Sequence, residues 1–163
     1  MGGFINSTVD SDDPASESEV RCGIVLAAMV PPAWVVVLVN PSGHRSAVGG
    51  SGATADFIAY TSGNGKTFAE LREEESYWGT LDAYTPEAKN DGEQAAKMVR
   101  DKLSTQARAV IVDLALVRNE ANRKRVISKV TTMVNSEMKG RMVIFTYDNQ
   151  QSALNPIKPW TVQ

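Results

Sequence analysis

Two aspartates stand where an apolar run does not ordinarily tolerate a charge. Asp56 sits in ADFIAY, and Asp82 sits in WGTLDAYTP, close to the end of a strand before Pro86. A carboxylate in such a place has to be solvated, hydrogen-bonded or bound to a metal. Read singly, each is also a capping or turn-side Asp on a sheet edge. Read together, on strands adjacent in a meander, they make a hard-oxygen site for Mg²⁺ or Mn²⁺. Lys102 and Gln106 follow one helical turn apart, so their side chains share a face and can point to one location. Glu17 and Glu19 lie near a helix start, where negative charge is favourable whatever else it does. The run EANRKRVISK carries Arg123, Lys124, Arg125 and Lys129, with Arg118 just ahead of it. Such a run is a solvated helix face or, beside a carboxylate site, a cationic face that attracts a phosphate backbone.

Other chemistries are weakly supported. Gly65-Lys66-Thr67 ends like a phosphate-binding loop, but the glycine required five residues before Gly65 is Tyr60, and without it the backbone N–H groups do not wrap a phosphate. The only histidine is His44, in the turn-rich NPSGHRS, and the only cysteine is Cys22. A disulfide within the chain and a thiolate zinc cluster are thereby excluded.

The elements that position these residues follow from periodicity. From Pro14, the run ASESEVRCGIVLAAM reads as a helix with Val20, Ile24 and Ala27 or Ala28 on one face, stopped by Pro31-Pro32. AWVVVLV reads as a strand covered on both faces, and ATADFIAY and SYWGTLDAY as two more strands around a Gly-rich loop and the acidic ELREEE. Residues 91–106 form a helix with Ala95, Met98, Val99 and Leu103 on one side. RAVIVDLAL is a buried strand, a second helix runs from about Asn119 to Asn135, and GRMVIFTY is a closing strand. The order α-β-β-β-α-β-α-β describes an α/β or α+β fold, a mixed central sheet flanked by helices. Residues 14–150 read as one domain, 1–13 as a structureless lead or join, and 151–163 as a tail. Charge is uneven: residues 1–22 carry five acids against Arg21, whereas residues 89–150 carry twelve Lys and Arg against seven acids. The apolar stretch from Ile24 to Val39 is cut by the proline pair and is too short to span a bilayer.

The stretch YWGTLDAYTPEAKNDGEQAAKMVRDKLSTQARAVIVDLALV resembles the C-terminal toxin domains of CdiA-type contact-dependent growth inhibition proteins. The resemblance rests on Gly79, Asp82, Tyr84, Pro86, Lys102, Gln106, Asp113 and Leu114 in that order, and covers about residues 53–147. It implies a core of the PD-(D/E)XK nuclease type and metal-dependent cleavage of phosphodiester bonds, with tRNA the usual target and DNA an alternative. Asp56 and Asp82 would then hold Mg²⁺ or Mn²⁺, with Glu19, or Glu17 beside it, completing the shell. Lys102 would orient water or neutralise charge in the transition state. Gln106, Arg123, Lys124 and Arg125 would contact substrate. The chain departs from that family's motif at Asp82-Ala83-Tyr84, where a lysine is expected at the third position and Lys102 would have to replace it.

On this reading the chain is a fragment of a larger secreted or surface-delivered protein, acting in the cytoplasm of a target cell and held in check by a cognate immunity protein. The competing reading is a non-enzymatic interaction module of the same fold class, an immunity or regulatory protein in which the aspartates are structural. Convergence of Asp56, Asp82 and Lys102 on one point separates the two.

Overall fold

The computed structural model describes residues 2–6, 15–30, 34–38, 56–61, 78–105, 107–147 and 150–154. Seven strands and three helices occur among them: β1 (Gly3–Asn6), α1 (Glu17–Met29), β2 (Trp34–Leu38), β3 (Phe57–Thr61), β4 (Trp78–Tyr84), α2 (Glu93–Thr105), β5 (Ala109–Asp113), α3 (Glu120–Glu137), β6 (Met142–Tyr147) and β7 (Gln150–Leu154). From α1 to β6 the order is the expected α-β-β-β-α-β-α-β. The strands form one mixed sheet in sequence order, β1 to β7, in which β1–β2, β4–β5 and β5–β6 are parallel pairs. The β2–β3, β3–β4 and β6–β7 pairs are antiparallel.

Both termini contribute more to the sheet than a polar lead and tail would. Gly3–Asn6 pairs with β2, and Gln150–Leu154 pairs with β6. Strand β1 is held by packing that its short, unpatterned sequence does not announce. The Phe4 ring lies directly on Gly23 of α1, where any Cβ would collide with it, and the Gly2 N–H donates to the Ala27 carbonyl at 2.8 Å.

The sheet is covered on both faces. Alternation along each strand sends one set of side chains to either side. Leu81, Ala109, Ile111, Met142 and Ile144 pack with Cys22, Leu26 and Val30 of α1. Val110, Val112, Val143 and Phe145 pack with α2 and α3. Every residue of β5 is consequently buried. In β2 only Trp34, Val36 and Leu38 are buried, and Val35 and Val37 are half-covered, so two-sided coverage stops short of this strand. The buried stripe of α1 is Cys22, Gly23, Leu26 and Ala27, not the face containing Ile24, which is 57% exposed. This helix is apolar nearly all round after Arg21, so periodicity could not choose its inward face. Its start is clearer: Ser16 and Glu19 make a capping box.

Helices α2 and α3 run parallel, as two ion pairs show: Glu93 to Lys129 at 3.0 Å and Arg100 to Glu137. The backbone just ahead of α2 passes close to α3 at Gly92, with φ +94° and with the Arg125 carbonyl and Lys129 side chain where a Cβ would lie. A side chain there meets both backbone strain and a backbone atom. Gly92→Ala is expected to lower stability by roughly 1–3 kcal/mol in urea unfolding, with the slope against denaturant unchanged.

Candidate functional site

The sheet is staggered about β4. Strand β3 pairs with residues 78–81 of β4, and β5 pairs with residues 81–84. Leu81 is in register on both sides, and the β5 side reaches only one residue further back, the Arg108 N–H donating to the Thr80 carbonyl at 3.0 Å. Beyond Leu81, on the β3 side, β4 would present an unsatisfied N–H at Ala83. Asp56, the residue before β3, supplies the partner: its Oδ2 accepts the Ala83 N–H at 2.9 Å. Continuing the register one step past Phe57–Leu81 sets Asp56 opposite Asp82, which lies close to the end of β4, as expected.

Asp82 is 2% exposed and faces α2. Lys102, in the last turn of that helix, reaches it with Nζ 2.8 Å from Oδ2. A buried carboxylate here is tolerable because the ammonium and the hydrogen bond arrive together. Asp56 is the second acid of the pair, and its carboxyl is pushed up to about 8, first by burial, then by a hydrogen bond to Asp82 and by that neighbour's charge, with the Ala83 N–H opposing. A hydrogen bond between two carboxyl groups needs a proton on one of them. The centre therefore holds two acids and one lysine, with Asp56 favouring its protonated form.

The other expected residues divide. Glu19 lies close enough for its charge to act on Asp56, but its carboxylate is engaged by Ser16, accepting from the backbone N–H at 3.1 Å and from Oγ at 2.9 Å. Glu17 is exposed in the first turn of α1. Gln106, His44, Pro14 and the Gly65-Lys66-Thr67 loop lie outside the described residues. Arg123 folds over the Tyr147 ring, 4.8 Å from its centroid, and bonds the Val117 carbonyl. Lys124 faces Glu120 at 3.7 Å, and Arg125 is exposed. Because the Arg125 carbonyl adjoins Gly92, ten residues before Lys102 along α2, the Arg123–Arg125 run is about 15 Å along the helix axis from the Lys102 level. The structure brings Asp56, Asp82 and Lys102 together, and leaves this run at the other end of the helical layer.

A second polar cluster pins α1. Asp113, at the end of β5 and 1% exposed, accepts from Arg21, from Ser18 Oγ at 2.7 Å and from the Ala115 N–H at 3.1 Å. Since the Ser18 hydroxyl proton goes to Asp113, the Thr85 hydroxyl donates to Ser18 Oγ, at 2.8 Å. Sequence reasoning missed Ser18, Arg21 and Thr85, whose partners are 67 to 95 residues away. An acid closing the apolar AVIVD was the available signal. Cys22 is fully buried with its thiol pushed up to about 12 by burial, so a thiolate nucleophile is not on offer.

Comparison with known proteins finds no matching family model, no matching curated protein and no matching solved structure. No described helix is long and apolar enough to cross a membrane. Among the described residues no group of three or more His, Cys, Asp or Glu forms a metal cluster. Two carboxylates are nonetheless what a Mg²⁺ site commonly takes from protein, waters and substrate phosphates filling the rest. A cation held between the two acids would relieve the like-charge repulsion that burial imposes on Asp56, and the residues present fit such an ion.

Two outcomes follow. Asp56 binds its proton more tightly folded than unfolded, so its contribution to stability is complete below about pH 4 and is lost as pH rises towards 8. In EDTA, the melting temperature of the parent chain should fall relative to Asp56→Asn across that window, because the amide has no proton to lose. Lys102→Met strands a buried carboxylate and should cost about 3 kcal/mol in denaturant unfolding, more than Asp82→Asn, which leaves an amide in its place.

Proposed function

We propose that this chain is a metal-dependent nuclease domain with a PD-(D/E)XK-like core, hydrolysing phosphodiester bonds. The observation that carries the reading is the convergence of Asp56, Asp82 and Lys102 where β3 ends and β4 continues. The same three residues scattered over separate surfaces would have favoured the interaction module. Strand order supports the reading too: a helix, a three-strand meander, then a helix and a strand parallel to the third.

In this proposal Asp56 and Asp82 hold a Mg²⁺ or Mn²⁺ ion, with Glu19 as the further carboxylate drawn from α1. Such an ion supplies an activated water and stabilises charge on the phosphoryl oxygens. The chain's own residues do the rest. Lys102 holds Asp82 in place through its ammonium, and its cation lies where negative charge accumulates during cleavage. The Ala83 N–H fixes the Asp56 carboxyl against β4.

The resemblance in the β4–β5 segment extends the proposal to a toxin domain of interbacterial competition, with tRNA as substrate, delivered as part of a larger protein and neutralised by an immunity partner. The test is cleavage of total tRNA and of plasmid DNA with Mg²⁺, Mn²⁺ or EDTA, comparing the parent chain with Asp82→Ala and Lys102→Met. Metal-dependent cleavage that falls at least 100-fold in Asp82→Ala is expected. A folded parent chain that cleaves neither polymer in any metal would return Asp56 and Asp82 to a structural role.

A further inference from the structure

Helix α1 reaches both sides of β4, packing on β1 and β2 and also on β5. Its apolar pattern does not fix how it is turned, because the helix is apolar nearly all round after Arg21. Side chains of similar volume interchange at little cost, so rotation and sliding of α1 have to be set by something directional.

The directional contacts are polar and share one face. Ser18 and Arg21 are three residues apart, hence neighbours on the helix surface, and both donate to Asp113 Oδ2, Ser18 at 2.7 Å. Asp113 closes β5 and is buried. Ser18 Oγ also meets the hydroxyl of Thr85, the residue after β4, at 2.8 Å. Glu19 and Gly23 are four residues apart and share a different face, the one on which the Phe4 ring of β1 lies. The same turn of α1 therefore grips β4 and β5 with Ser18 and Arg21, and presents Glu19 to the β1 to β3 side of the sheet, the side that carries Asp56.

The levels agree as well. Asp56 is held at the Ala83 N–H. Thr85 is two residues further along, and alternation puts it on the face of Ala83, the one that α1 covers. The two anchoring points are thus about 7 Å apart along the chain. A slide of α1 by one turn, about 5.4 Å, would carry Glu19 away from the acids.

We propose that Asp113, Ser18 and Arg21 are positioning residues of the metal centre, seating Glu19 beside Asp56 and Asp82. This rests on the nuclease reading, in which Glu19 is the further carboxylate. The three residues touch neither ion nor substrate and act through the helix.

The experiment is Mn²⁺ binding, read from the electron paramagnetic resonance of the free ion, at a temperature where melting curves show each variant folded. Arg21→Gln and Asp113→Asn should each weaken Mn²⁺ binding about tenfold, the loss typical of groups that orient a metal ligand. By charge alone, removing the Arg21 cation would strengthen the binding of a cation, so weakening reports position. Glu19→Gln should weaken binding by a similar factor, and Arg21→Gln on that background should add nothing measurable, because both act through one side chain. Arg21→Lys should recover most of the loss. Gly92→Ala, which destabilises the α2–α3 layer, should bind Mn²⁺ like the parent, which separates positioning from a general loss of stability. If Arg21→Gln or Asp113→Asn does not fold, Ser18→Ala, which removes a hydroxyl and no charge, takes its place. Parent-like affinity in these variants, or a full additional loss on the Glu19→Gln background, overturns the positioning role. A parallel cleavage assay separates the two ideas. Cleavage by the parent with unchanged Mn²⁺ affinity in the variants removes the positioning role and keeps the nuclease, and weakened Mn²⁺ binding without cleavage by the parent does the reverse. No Mn²⁺ binding by the parent overturns both.

Discussion

Burying a carboxylate in the middle of a sheet strand sets the terms for everything around Asp82. The cost of removing that charge from water is several kcal/mol, and only a cation delivered to the same place offsets it. Lys102 must come from above, so α2 has to end over the junction of β4 and β5, and the chain has to turn within a few residues to start β5 beside Leu81. The short connection through Ala107 and the pairing of Leu81 with Ala109 are the geometric result. Asp56 can then approach only from the open side, where β3 has ended.

The two helical layers are fixed in the same manner, one on each face. Asp82 of β4 fastens α2 through Lys102, and Asp113 of β5 fastens α1 through Arg21 and Ser18. Apolar packing alone tolerates sliding, because side chains of similar volume interchange with little loss. A buried acid with a directed donor set does not. Register between each helix and the sheet is therefore set by polar contacts, while the free energy of association comes from the Leu, Ile, Val and Met clusters beneath them.

The parts legible in the sequence were those governed by local rules. Uninterrupted β-branched runs announced β2, β5 and β6, and the apolar spacing of residues 95, 99 and 103 announced α2. An Asn before an acidic turn announced the start of α3 at its Asn119 cap. Asp56 and Asp82 stood out because a charge in an apolar strand demands a partner, and Lys102 because it and Gln106 are one turn apart on one face of the helix that follows Asp82. What stayed hidden depends on tertiary placement. Nothing in GFIN signals a strand until Phe4 finds Gly23. The inward face of α1 is invisible in a helix that is apolar on most sides. The Asp113 cluster joins residues far apart in the chain, and the separation of Arg123–Arg125 from Lys102 is set by the parallel run of α2 and α3, which no periodicity encodes.

The stagger at Leu81 gives the molecule a seam. Strands β1 to β3 form one ladder and β5 to β7 another, and on β4 they overlap only about Thr80 and Leu81. The two ladders are thus two leaves joined along β4. Asp56 rides on one leaf, whereas Lys102 and Arg108 ride on the other. A change in the angle between them would change the gap between the acids, and an ion held in that gap would tie the two leaves together.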